Sequence, residues 1–236
     1  MHELLLLGLG CVAGWLTTVA GLGGGMLLVF AVSLLRDPVS ALAATTPALM
    51  LGNLHRLYLF RRDVAWRVAG PFSAGALPGA VVGASFAAAI PPRWVLVAMT
   101  ALTVVALLKS WRGWRWRFGA RSLTPAGFAV GALTGTAGGA GLLMGPVFLA
   151  AGLSGVSYSA STALAATLMH AGRVVGYGAG GLFSPAVLRD AGVLAVAIFA
   201  GNLAGRKVRI ALDERRSHVL EYATLLTCVA LALAGF

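Results

Sequence analysis

Long apolar runs alternate along this chain with short breaks rich in Arg, Lys, Pro and Asp. The runs approach or exceed the roughly 20 residues a helix needs to cross a bilayer. They lack the strict in–out alternation of a transmembrane barrel strand. Eight segments are predicted, near 3–35, 39–60, 66–90, 93–111, 123–152, 156–180, 185–205 and 217–236. The expected fold class is all-α, a polytopic membrane protein. Composition agrees, because 59% hydrophobic and 11% charged residues cannot supply an ordinary soluble surface.

Two of the segments are interrupted from within, by "GLGGG" at residues 21–25 and "AGGAG" at 137–141. Glycine costs a helix interior about 1 kcal/mol relative to alanine, so such clusters mark intended breaks. Shifting the chain by 117 positions aligns the two breaks and superposes Thr17 on Thr134, Thr45 on Thr162 and Arg56 on Arg173. A shift of 122 then pairs Gly70, Gly79 and Gly83 with Gly192, Gly201 and Gly205. The chain reads as two four-segment repeats, 1–111 and 122–236, joined by a basic aromatic linker at 112–121.

The net charge of +11 raises the question of nucleic acid, and the position of the charges answers it. Apart from Arg56 and Arg173, the cations lie in breaks or near segment ends, at 36, 61–67, 93, 109–121, 189 and 206–216. That is membrane anchoring by cytoplasmic positive charge, and no nucleic-acid partner is expected. If every segment crossed once, the basic loop at 206–216 would face away from those at 61–67 and 109–121. Re-entrant first segments, which turn at their glycines and leave on the side they entered, bring all three loops to the cytoplasmic face. The halves then become inverted repeats, as in many secondary transporters. Eight plain crossings with one atypical loop is the alternative. The N-terminal "MHELLLLGLGCVAGW" has no basic lead and is read as mature helix rather than signal peptide. Cys11 and Cys228, both in apolar segments, are expected to be buried thiols.

Irregular backbone at membrane depth is tolerated only where protein buries it or where it lines a wet cavity. Amides of Gly21, Gly23, Gly24 and Gly25, and of Gly138, Gly139 and Gly141, are therefore candidate donors to an anion, reinforced by the positive end of a following helix. The competing reading is close helix packing through small residues. In "AATTPALMLGNLHRLYLF", Pro47 suits a helix first turn, which makes Thr45 or Thr46 a cap at a second discontinuity. Thr46, Asn53 and Arg56 share a helical face. The second repeat offers Ser161, Thr162, Thr167, His170 and Arg173, with His170 at the register of Asn53. Against a substrate role, threonines back-bond within helices and arginines snorkel to the interface. His55, on a neighbouring face, is a weaker candidate.

All seven acids lie near segment ends or in loops, which disfavours a cation pathway or a carboxylate proton relay. Metal-ligand spacing, a phosphate-binding loop and a nucleophile triad are all missing from the sequence, so neither enzyme chemistry nor a cofactor is expected. "WRGWRWRF" suits an interfacial anchor against anionic lipid.

The sequence resembles the sulfite exporter TauE/SafE family of membrane permeases. The resemblance rests on "GLGGGMLLV" and "GTAGGAGLLMGPVFL", each followed by a small-residue helix with a threonine, "SALAATTPA" and "SYSASTALA". "RRDVAWRVAGPFSAGALPGAVVGASFA" resembles the family's loop and glycine-rich third helix. Val29 and Phe30 stand where the family has a proline, whereas the second half keeps Pro146. The resemblance implies a multi-pass protein of the bacterial cytoplasmic (inner) membrane that exports small sulfur-containing anions without a cofactor. Its expected partners are the anionic substrate and the lipid bilayer. An anion channel and a non-transporting assembly subunit are the other readings, and a homo-oligomer is compatible with the sequence.

Overall fold

The computed structural model describes residues 2–36, 38–86, 120–137, 140–213, 215–216, 219–220 and 223. Among them the chain is helical, without strands: α1 His2–Ala20, α2 Gly24–Ser33, α3 Pro38–Leu59, a 3-10 turn Arg61–Asp63, α4 Trp66–Ser85, α5 Ala120–Ala137, α6 Ala140–Ala150, α7 Gly155–Ala179 and α8 Pro185–Ala211. The expected segment at 93–111, most of the linker and most of 217–236 lie outside the described residues. Helices at Glu3–Ala20, Trp66–Ser85 and Pro185–Ala211 are long and apolar enough to cross a membrane. The central α3 and α7 have the length but are more polar; α3 keeps an exposed side at Leu51, Leu54 and Tyr58, whereas α7 has buried residues all round from Tyr158 to Tyr177.

The first glycine cluster breaks the chain as expected. Gly21 and Gly23 adopt φ of 79° and 94°, left-handed values that a side chain makes costly. The chain reverses there: Gly24 lies so close to the Ala13 carbonyl and Thr17 that a Cβ would overlap both. Beyond α2, Arg36 pairs with Asp190 at 2.7 Å, and Glu3 at the start of α1 pairs with the adjacent Arg189. Segment 3–36 therefore starts and finishes at one end of the bundle, here the near end. With 10 and 11 residues, α2 and α6 extend only about 15 Å each, half a hydrocarbon core.

Glycine contacts fix the helix directions. Gly10, Gly14 and Gly201 set α1 against α8 with residue numbers rising together, 10 beside 194 and 14 beside 198, so the two are parallel. Gly75, Gly79 and Gly83 set α4 parallel to α5, and Gly172 and Gly176 set α7 parallel to α4. Helices α1, α3 and α8 run from the near end to the far end; α4, α5 and α7 run back. Two large hydrophobic cores result, with a small third cluster of Ala43, Ala44 and Val187 beside them. One holds Leu6, Leu28, Val32, Leu49 and Ile198 from α1, α2, α3 and α8. The other holds Phe72, Leu123, Met144, Phe148 and Met169 from α4, α5, α6 and α7, with Leu22 of the break added to it. Each core takes three helices from one half of the chain and the last described helix of the other half.

Three expectations need correction. First, α3 runs unbroken through Pro47. Thr45 and Thr46 donate back to the carbonyls of Ala41 and Leu42 at 2.7 and 2.6 Å, so they cap nothing; neighbouring turns and packing carry the helix past the missing proline N–H. Second, Cys11 is exposed, on the outer side of α1 next to exposed Val12. An apolar thiol is at ease facing lipid. Third, α8 continues to Ala211, carrying Arg209 out of the expected loop and into the interior.

The glycine packing can be tested within one helix. A Cβ at Gly201 would overlap the Cys11 carbonyl, whereas one at Gly192 would meet nothing within 4 Å. Gly201→Ala should destabilise the protein in detergent by about 1–3 kcal/mol. Gly192→Ala should leave the melting temperature unchanged or raise it, by helix propensity.

Candidate functional site

Where α1 stops at Ala20, its last carbonyls lose their intrahelical partners and form the negative end of a dipole. Polar side chains from three other helices converge there. From α3, fully buried Arg56 donates through Nη1 to the Thr17 carbonyl and, at 2.9 Å, to the Gly21 carbonyl. Its Nη2 donates to Asn53 Oδ1 at 3.0 Å. From α8, Arg209 donates to the Val19 carbonyl at 2.9 Å and to the Gly155 carbonyl at the start of α7. From α7, Thr162 donates to the Gly21 carbonyl at 2.9 Å and Ser159 to the Thr18 carbonyl at 3.3 Å.

A polar strut backs this cluster. Thr18 donates to Asn202 Oδ1 at 2.8 Å, and Asn202 Nδ2 donates to the Gly52 carbonyl at 2.7 Å. His55 lies against it, with Nδ1 3.4 Å from Asn202 Nδ2 and its ring on Phe199.

The second repeat builds a related cluster nearer the near end. Arg173, fully buried on α7, places Nη1 3.3 Å from His170 Nδ1 and donates from Nη2 to Tyr177 Oη at 3.2 Å. Tyr177 in turn donates to the Gly135 carbonyl at 3.2 Å, so this arginine reaches the end of α5 through a phenol. Each arginine contacts the residue three positions before it, Asn53 in one half and His170 in the other. The polar stripe read from the sequence is thus realised on both central helices.

The other predicted residues are distributed as follows. Gly23 precedes α2, and no side chain caps that helix start. Gly24 and Gly25 open α2, the latter against Leu49. Gly21 presents its carbonyl as an acceptor in this conformation, to Arg56 and Thr162. Ser161 accepts from the Ala65 amide at 3.0 Å, tying α7 to the loop before α4. Thr167 back-bonds to Ala163, and Thr45 and Thr46 are likewise engaged within α3. Gly138 and Gly139 lie outside the described residues, and Gly141 falls in the first turn of α6.

Sequence reasoning missed Arg209, Ser159, Asn202 and Tyr177. The signal for two of them was present: Ile198, Asn202, Gly205 and Arg209 recur at helical spacing, and all four are buried. Chemically, Arg56 and Arg173 are the notable groups. Their hydrogen bonds go to neutral acceptors, and no described carboxylate pairs with either. Their Nε atoms are buried without partners. Among the described residues no cluster of three His, Cys, Asp or Glu could hold a metal.

The family model described as sulfite exporter TauE/SafE matches residues 6–234, nearly the whole chain. This chain belongs to the TauE/SafE family. Searches for similar curated proteins and for similar solved structures return no match. As a TauE/SafE member, the protein is a helical membrane transport protein. The family match embraces both arginine clusters.

The strut predicts its own sensitivity. Asn202→Leu leaves the Thr18 hydroxyl and the Gly52 carbonyl without their partner and should cost about 1–2 kcal/mol. The comparison is with Leu203→Ala, an exposed neighbour, which should change the detergent melting temperature far less.

Proposed function

We propose that this protein is a secondary transporter that exports small sulfur-containing anions, such as sulfite, thiosulfate or sulfoacetate, across the bacterial cytoplasmic membrane. One observation carries the reading beyond family membership: Arg56 and Arg173 occupy matching places on the two central helices, buried and without a carboxylate partner. A buried cation in lipid is expensive, and a site that an anion visits gives the expense a purpose. The proposed site comprises Arg56 and Arg173 with Asn53 and His170, the hydroxyls of Thr45, Thr46, Ser161 and Thr162, and amides at the two glycine breaks. The hydroxyls of Thr45, Thr46 and Thr162 would turn from carbonyls to the anion on binding.

Geometry supports the inverted, re-entrant arrangement. α1, α3 and α8 run opposite to their counterparts α5, α7 and α4, and segment 3–36 returns to the end it started from. The far end exposes Arg61, Arg62, Arg67, Arg206 and Lys207, which by the positive-inside rule makes it cytoplasmic. Export of an anion then runs with an inside-negative potential, by about 2.3 kcal/mol per charge per 100 mV.

Proteoliposome flux tests the proposal. The protein should carry sulfite or thiosulfate saturably, and Arg173→Gln should lower that flux at least tenfold while Arg173→Lys keeps part of it. Thr162→Val should weaken anion-induced thermal stabilisation of the purified protein. Unitary conductance in planar bilayers would replace the transporter by a channel. No flux and no stabilisation with any small anion would leave a non-transporting assembly subunit.

A further inference from the structure

Arg209 is absent from the predicted site, yet it stands where the two hydrophobic cores meet. It belongs to α8, whose apolar face packs with α1, α2 and α3. One Nη donates to Val19 within that group; the other crosses to Gly155, the first residue of α7 in the opposite core. Two more bonds cross at the same level, Thr162 to the Gly21 carbonyl and Ser159 to the Thr18 carbonyl. The Ser159 and Thr162 bonds land on the last turn of α1 and the residue just past it, the stretch that Arg56 also holds. The far end is thus closed by side chains gripping one frayed helix end.

The acceptors of these six bonds are neutral carbonyls. A charged oxygen adds Coulomb attraction, and often a second parallel bond, to what a neutral carbonyl offers a guanidinium. An oxyanion that reaches the break from the far end therefore outcompetes Val19 and Gly155 for Arg209, and Thr17 and Gly21 for Arg56. Taking Arg209 from Gly155 removes a charged tie between the cores. Resting on the transport reading above, we infer that Arg209 is a positioning residue that latches the far end shut. An arriving oxyanion releases that latch by drawing the guanidinium from Gly155, so substrate binding and separation of α7 from α1 become one event.

The test follows amide hydrogen exchange in residues 18–26 and 153–162 of the full chain, with and without sulfite, beside sulfite flux in proteoliposomes. In the unmodified protein sulfite should raise exchange in both segments at least threefold. In Arg209→Gln exchange should already be high and sulfite should add nothing. Arg209→Lys, which keeps the charge but not the two-pronged reach, should fall between. Exposed Arg206→Gln should match the unmodified protein. If Arg209→Gln fails to fold, the Arg209→Lys comparison decides. Sulfite flux with no sulfite-dependent exchange, or a sulfite response in Arg209→Gln or Arg209→Lys equal to the unmodified protein's, overturns the latch and leaves transport standing. Absence of flux with sulfite, thiosulfate and sulfoacetate overturns the transport reading and the latch with it.

Discussion

Backbone groups inside a bilayer have no water to turn to, and the end of α1 is where this protein meets that constraint. A helix that stops within the bundle exposes carbonyls at the negative end of its dipole, and each unsatisfied one costs several kcal/mol in hydrocarbon. The carbonyls of Thr17, Thr18, Val19 and, just past the helix, Gly21 receive two guanidiniums and two hydroxyls brought by α3, α7 and α8. The break and the buried arginines are therefore one feature. Glycine at 21 and 23 permits the reversal. The arginines make it tolerable, and in doing so they place positive charge where little else could justify it.

The same constraint shapes the packing. Lipid gives no hydrophobic reward for bringing helices together, so close backbone approach and interhelical hydrogen bonds carry the association. The glycine rows of α1 against α8 and of α4 against α5 serve that approach; a Cβ at Gly79 or Gly201 would overlap a neighbouring carbonyl. These rows join helices from different halves. The units that pack as wholes are therefore not the units that the sequence repeats. What lies between the two cores is more polar than what lies within either: Ser159, Thr162 and Arg209 reach across to carbonyls, whereas the cores themselves are built of apolar side chains.

Helical class, the glycine break and the Arg–Asn and Arg–His pairs were legible in the sequence because each follows from spacing: 3.6-residue periodicity, a glycine cluster, and an i, i+3 relation. Arg209 was not. It sits among Arg206, Lys207, Arg215 and Arg216, and a run of cations looks like a loop unless the buried face of the preceding helix is followed through it. Thr45 and Thr46 were misread as helix caps for a different reason. Proline reads as a first-turn residue, yet surrounding helices hold α3 continuous and the hydroxyls bond within it. Which carbonyls the arginines serve was beyond sequence, since Thr17, Val19 and Gly21 meet Arg56 and Arg209 only through packing.

The division of labour between the two arginine clusters follows from how each reaches a helix end. Arg56 grips α1 directly, and Arg209 shares that work from another helix. Arg173 acts through Tyr177, whose hydroxyl both accepts from the guanidinium and donates to Gly135. A direct grip is lost when the guanidinium turns to an anion. A relayed one is not, because the phenol keeps its own bond to α5. The repeats thus carry the same charge at matching positions, with different mechanical consequences for the helix ends they serve. On the transport reading proposed above, that asymmetry holds one end of a duplicated scaffold fast while the other yields.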